Sequence, residues 1–301
     1  MHPALCPKLS ALVAGFCAAG ALTGCDVTIK DGDIKNVSVR AKATREWNRR
    51  YSLAPGGRVE IVNNNGSIEA VTGPPGAIDV RAVLEAQAMT QARAEEMLED
   101  VKVEESVDPA HVRVAIARAG GRRGVDGTFK VILPPDATLE MTGSNGTLKA
   151  AGLTGYVKAM IVNGGVELTD MSGTVDAASV NGHVTAKMSQ VTGSVRLEST
   201  NGRIALEIPK GAKAALNARS VNGSISVTGL NVEDGSGRRI RTLESQLNGG
   251  GPNIDLRVTN GRINITGVEG SRQGRQSPES HKTLPNPPSA PVPPSPPISS
   301  P

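Results

Sequence analysis

The sequence predicts an all-β chain, a single-stranded β-solenoid of about 18–21 residues and two strands per coil, with a small α+β excursion capping its N-terminal end. Three observations predict it. An Asn-Gly pair recurs along the body, aliphatic residues fill the same positions around every copy, and a second glycine turn lies halfway between copies.

The pair occurs seven times, led by Asn65, Asn145, Asn163, Asn181, Asn201, Asn222 and Asn260, and from Asn145 to Asn222 the steps are 18, 18, 20 and 21 residues. A fixed period of that size marks a repeat architecture. Three residues after each Asn stand Ile68, Leu148, Val166, Val184, Ile204, Ile225 and Ile263, and five after stand Ala70, Ala150, Leu168, Ala186, Leu206, Val227 and Ile265. Four before stand Ile61, Met141, Ala159, Ala177, Leu197, Ala218 and Leu256, and six before stand Val59, Leu139, Val157, Val175, Val195, Leu216 and Ile254. Polar residues separate them, as in the column Glu60, Glu140, Lys158, Asp176, Arg196, Asn217, Asp255. Alternation with period two on both sides of a turn describes strands with one buried face.

Gly155, Gly173 and Gly193 follow Thr or Ser and lie eight residues before an Asn, so a coil is two short strands and two turns. An antiparallel meander would make each Asn-Gly a hairpin. A solenoid would make it a corner, stacked on its equivalent about 4.8 Å away. Recurrence of Asn itself favours the solenoid, because like on like allows a side-chain ladder.

The chain begins with Lys8, an apolar run from Leu9 to Ala21, and Leu22-Thr23-Gly24-Cys25. Thirteen apolar residues are too few to span a bilayer, which takes about 20, but suit a secretory signal. The run's end resembles a bacterial lipobox. Residues 1–24 are therefore expected to be a lipoprotein signal peptide. Cys25 would be the lipidated residue, carrying diacylglyceryl and a further acyl chain such as palmitate, and 25–45 a tether. Asp26 resembles an enteric retention signal, a rule that does not transfer safely, so the leaflet stays open.

Residues 46–268 form the expected solenoid domain, split by an excursion over 72–135. In it Ile78–Leu84, Val101–Val107, Val112–Ala117 and Thr128–Leu133 read as strands. Thr90–Asp100 reads as a helix with Met89, Ala92, Leu98 and Val101 on one face. A solenoid needs covered ends, which gives the excursion its role as a cap. Leu243–Ile265 is expected to finish the other end, with Gly249-Gly250-Gly251 as a loop. Residues 269–301 form a disordered Pro-rich tail, since ten of the twenty prolines lie in 271–301; it reads as a passive tail rather than a spacer or PxxP ligand.

A net charge of +4 and scarce aromatics (Trp47, Tyr51, Phe129 and Tyr156 beyond residue 25) argue against nucleic acid as a partner. Cys6, Cys17 and Cys25 all precede the body, which excludes a disulfide, thiol nucleophile or Cys-based metal site there. Only His111 and His183 lie in the body; His183, beside Arg203 on the next coil, reads as solvated. Asp31-Gly32-Asp33 and Asp234-Gly235-Ser236-Gly237 read as turns, not calcium loops. No catalytic or cofactor motif is present, and neither metal nor cofactor is expected. Lys42, Arg45, Arg49 and Arg50, with Trp47 and Tyr51, either rest on anionic headgroups or protect an edge strand. Asp176, Arg196, Glu198, Arg203, Arg219, Arg257 and Arg262 fall outward; they read as a solvated charged face, with a groove as the alternative.

The segments YSLAPGGRVEIVNNNGSIEAVTG (51–73) and VILPPDATLEMTGSNGTLKAAGLTG (131–155), the helix, and the alternating NG and TG or SG turns resemble a bacterial envelope family. That family is built on a β-strand-repeat domain of unknown function, the putative-adhesin domain. The resemblance covers about residues 46–268, although many relatives carry Ser-Gly where this chain has Asn-Gly. It implies a β-solenoid body, an envelope location and no established enzyme activity. Some relatives resemble toast-rack proteins linked to envelope-stress systems. The expected function is a non-enzymatic, adhesin-like binding or scaffolding module. It would be held to the membrane by its lipid and would meet an envelope protein or cell-wall partner. An envelope-stress partner is the second reading and a β-helix carbohydrate-active enzyme the third.

Overall fold

The computed structural model describes residues 40–118, 124–232 and 240–269. The expected signal peptide, Cys25, Asp31–Asp33, Asp234–Gly237 and the Pro-rich tail beyond Glu269 lie outside the described residues.

Seven long strands carry the Asn-Gly pairs: β2 (Arg58–Thr72), β7 (Thr138–Ala151), β8 (Val157–Met171), β9 (Val175–Met188), β10 (Val195–Pro209), β11 (Ala214–Thr228) and β13 (Asn253–Val268). Each pairs in parallel with its equivalents, Asn against Asn and Gly against Gly. The flanks of one Asn-Gly do not pair with each other, so the segments are windings of a solenoid and not hairpins. Burial alternates along each flank and slips by one residue at the pair, as in β10, where Val195, Leu197 and Ser199 are buried and then Ile204 and Leu206. That slip is the corner: it turns the strand so that both flanks face one interior. The aliphatic columns fill this interior, and all their members are buried except Val227, which is half-buried. Second corners stack likewise, with Val157 N donating to Thr174 O at 2.9 Å and Val175 N to Ser194 O at 2.9 Å.

The excursion caps the N-terminal end and also extends the stack. Its elements are β3 (Ala77–Ala88), α1 (Gln91–Glu99), β4 (Val101–Asp108), β5 (His111–Arg118) and β6 (Val125–Leu133). Strand β5 runs parallel to the first flank of β2, and β6 to the second, Gly127 opposite Gly66. Together they make one more winding, interrupted between its halves. Antiparallel β3 and β1 (Ala41–Ser52) continue beyond β6, and β4 lies beyond β5. Strand β1 starts at Ala41, inside the segment read as tether. Helix α1 starts where the Thr90 hydroxyl accepts from Arg93 N. It buries Ala94 and Leu98, whereas Met89 and Ala92 of the expected face are exposed. The apolar stripe is one turn shorter than sequence spacing suggested, because Met89 precedes the cap. Among the described residues no helix is long and apolar enough to cross a membrane.

The far end corrects an expectation. The strand order is β9-β10-β13-β11-β12, so β13 lies inside the stack, between β10 and β11, and does not finish it. Only β12 (Thr242–Leu247), antiparallel on β11, finishes that end. The reason is hydrophobic. Strand β13 carries the full aliphatic pattern of an inner winding, while short β12 buries only Leu243 and Leu247. Gly249 and Gly250, at φ +87° and +83°, reverse the chain between them. The Asn248 side chain pins this turn by donating to Lys210 O at 2.9 Å and Ala212 O at 2.8 Å.

Candidate functional site

Three ladders run along the corner. The outer one is amide: Asn145 Nδ2 donates to Asn65 Oδ1 (2.7 Å), Asn163 to Asn145 (3.0 Å), Asn181 to Asn163 (2.9 Å), Asn201 to Asn181 (2.9 Å), Asn260 to Asn201 (2.8 Å) and Asn222 to Asn260 (2.9 Å). The middle one is glycine. A Cβ at Gly146, Gly164, Gly182, Gly202, Gly261 or Gly223 would sit 1.5–1.8 Å from the carbonyl oxygen of the glycine on the adjoining winding. The inner one is hydroxyl: buried Ser179, Ser199 and Ser220 donate to Gly164 O (3.0 Å), Gly182 O (3.2 Å) and Gly261 O (3.2 Å). Asn63 plays that part at the first corner, Nδ2 to Gly127 O at 2.6 Å. The corner is thereby locked from both faces.

Each inner ladder amide makes two bonds, so Asn181→Ala removes both at once. At an exposed site the expected cost is about 1–2 kcal/mol, read as a lower urea midpoint with an unchanged slope. Asn264→Ala, exposed and off the ladder, should stay within about 0.5 kcal/mol.

The outward charges divide. Arg196 Nη2 meets Glu198 at 2.6 Å and Arg257 Nη2 meets Asp255 at 2.8 Å, each along its own strand. Arg219 and Arg257 are register neighbours and line one groove with Asp255 and Glu244. Asp176 lies opposite Arg196, and Glu198 opposite Arg257. Arg203 stands between His183 and Arg262. His183 Nε2 lies 3.6 Å from Glu167, whose carboxyl is also 3.0 Å from Lys149 Nζ. The Lys149 hydrogen bond, ahead of burial that opposes it, holds Glu167 below the usual carboxylate range, with His183 a smaller contributor. Among the described residues no three His, Cys, Asp or Glu side chains gather as a metal site would need.

The basic run lies on edge strand β1 and is largely paired internally: Lys42 with Glu85 (2.9 Å), Arg50 with Asp79 (3.4 Å) and Arg49 with Glu105 (3.8 Å). Arg49 also lies 5.5 Å from the Trp47 ring centroid, a cation–π distance. Tyr51 donates to Glu105 at 2.6 Å, and burial with that bond pushes its hydroxyl well above the ordinary tyrosine range.

Two features escaped sequence reasoning. Asp126-Gly127 is a degenerate eighth corner, with Phe129 and Val131 in the aliphatic columns opposite Ile68 and Ala70. The column spacing after Asp126 was the available signal; the missing flank hid it. Arg241 lines a groove with Arg262 and lies outside every repeat column, so no spacing pointed to it.

Parallel windings, a dry aliphatic interior and locked corners define a capped β-solenoid. The chain belongs to the Toastrack DUF4097 family, whose match spans residues 59–266. Among solved structures it is similar to a "putative cell adhesion protein" from Clostridium sporogenes, at 13% identity over 74% of this chain and 100% of that one, with a TM-score of 0.43. It is also similar to a "putative adhesin" from Bacteroides fragilis (9% identity, 74% and 97% covered, TM-score 0.30). A third is a "putative lipid binding protein" from Parabacteroides distasonis (10% identity, 74% and 97% covered, TM-score 0.22). No curated protein matches the chain.

Proposed function

We propose that this chain is a non-catalytic, lipid-anchored module of the bacterial cell envelope, a rigid rod that displays flat strand faces to an envelope or cell-wall partner. The observation that carries the reading is the parallel stacking of the Asn-Gly corners in register from β2 to β11, interrupted only by an irregularity between Leu168 and Met171 where β8 meets β9. It holds outward side chains in straight columns at strand spacing, about 4.8 Å, which is how a display surface is kept rigid. The Leu22–Cys25 lipobox supports the anchor, since two or more acyl chains hold a protein stably at a bilayer.

Cys25→Ala should move the protein from the membrane to the soluble fraction of lysed cells. Unchanged fractionation would count against lipidation. Crosslinking in intact cells should capture a partner that survives single polar substitutions on the rod but is lost when the winding 157–174 is deleted. Cleavage of envelope glycans by the purified chain would overturn the non-catalytic half of the reading.

A further inference from the structure

Insertion of β13 brings together two arginines that lie far apart in the sequence. Arg203 of β10 and Arg262 of β13 are register partners on the outward face, just past the corner. Both are exposed. Neighbouring parallel strands set their stems about 4.8 Å apart, and like charges directly opposite destabilise a sheet. Other charged columns on this rod neutralise themselves through Glu198, Asp255 or Glu167. This one does not. Among the described residues neither Arg203 nor Arg262 has an ion pair, nor does Arg241. Along the same flank stand Ala205 and Glu207 on β10, Asn264 and Thr266 on β13, and Ser226 on β11. The one carboxylate there, Glu207, is held by Lys187 at 3.2 Å. On the other side of Arg203 lies His183, whose Nε2 is 3.6 Å from Glu167.

Beside Arg262 a surface groove is lined by Arg241, Ser224, Ser226 and Asn264. Apart from backbone, its side chains are guanidinium, hydroxyl and amide, a set rich in donors and without carboxylate. A guanidinium offers a planar fork that binds oxyanions through two parallel N–H bonds. Two forks side by side, with hydroxyls next to them, supply more donors than the two oxygens of a carboxylate can use. A tetrahedral phosphate fits that count.

We propose that Arg203 and its register partner Arg262, with Arg241 in the groove that Arg262 lines, form a binding site for a phosphate group borne by an envelope polymer or lipid. The anion relieves the repulsion between the paired guanidinia. The site deepens the reading of the rod as a display surface, and rests on it only in requiring no turnover.

The test is calorimetric titration of the full chain with sodium tripolyphosphate at low ionic strength, together with sedimentation on phosphatidylglycerol vesicles against phosphatidylcholine vesicles. The parent should bind saturably, and added salt should weaken binding. The double variant Arg203→Gln/Arg262→Gln should bind at least ten-fold more weakly while melting no lower than the parent. Arg196→Gln, whose guanidinium is engaged by Glu198 on the other flank, should bind as the parent does. Binding to tripolyphosphate assigns the site to a soluble phosphopolymer, and binding confined to anionic vesicles assigns it to a headgroup. Parent-like binding by the double variant, an equal loss in Arg196→Gln, or no binding to either probe overturns the site. Phosphorus NMR separates the two readings. Hydrolysis of the probe would end the non-catalytic proposal while leaving the site in place, and absence of binding would do the reverse.

Discussion

Ending the chain after Gly251 should cost it most of its stability, while ending it after Glu269 should leave the melting temperature unchanged. The shorter truncation looks mild in sequence, since it spares six of the seven Asn-Gly pairs. In the fold it removes an internal strand. Ile254, Leu256, Val258, Ile263 and Ile265 are each at most 2% exposed, and burying one aliphatic side chain is worth about 1.5–3 kcal/mol. Five of them amount to a sum on the order of 10 kcal/mol, an upper bound yet comparable with the whole stability of an ordinary domain, about 5–15 kcal/mol. The loss also bares the edges of β10 and β11, strands whose aliphatic columns then face solvent and invite intermolecular pairing. Circular dichroism melts and light scattering of the two truncations decide the matter. A shorter chain that melts with the parent would mean that β11 closes directly onto β10.

Gly164→Ala should be among the most damaging single substitutions at the corner. Its φ is +142°, and a Cβ there would lie 1.8 Å from the Gly146 carbonyl oxygen. The atom in the way is backbone, which cannot swing aside as the Ile161 side chain at 3.1 Å could. Either the windings part, breaking Asn145–Asn163 and the ladder bonds beside it, or the corner unwinds. Overpacking a rigid site costs about 1–3 kcal/mol and occasionally more, and a left-handed backbone adds a further ~1 kcal/mol or more. A loss of at least about 3 kcal/mol in urea titration is expected. Gly211→Ala, with nothing within 4 Å of the added Cβ, should change stability by less than about 0.5 kcal/mol. Equal behaviour of the two variants would show that the glycine column serves turn propensity rather than close approach.

These two predictions separate what can be read along the chain from what cannot. Asn and Gly at each corner were legible as a turn with a repeating partner, because both residue types carry their own local chemistry. The glycine column's steric role was not legible, since the atom it avoids belongs to another winding. Helix α1 was legible from Thr90 onward, and so was half of its buried face: Leu98 and Val101 are buried, whereas Met89 lies outside the cap and Ala94, not Ala92, is buried where the helix packs on β1 and β3. On the charged face Arg196, Glu198, Arg203 and Arg262 were legible as outward residues, but the pairing of Arg196 with Glu198 was seen only in the structure. The adjacency of Arg203 and Arg262 was not legible, since it depends on which strand lies between β10 and β11.

By itself the sequence determined the period of the coil, the residues that point inward and the positions of the corners. These are properties of one winding, set by alternation and turn chemistry within about 20 residues. Only the tertiary structure decided the order of the windings, the extra winding made by β5 and β6, and the closure of the far end. Every winding offers the same aliphatic columns and the same backbone bonds, so local sequence cannot rank one neighbour above another. The ranking comes from connectivity: the glycine turn at 249–251 sends β13 back between two strands, and the split winding of β5 and β6 lets the cap grow from the first coil.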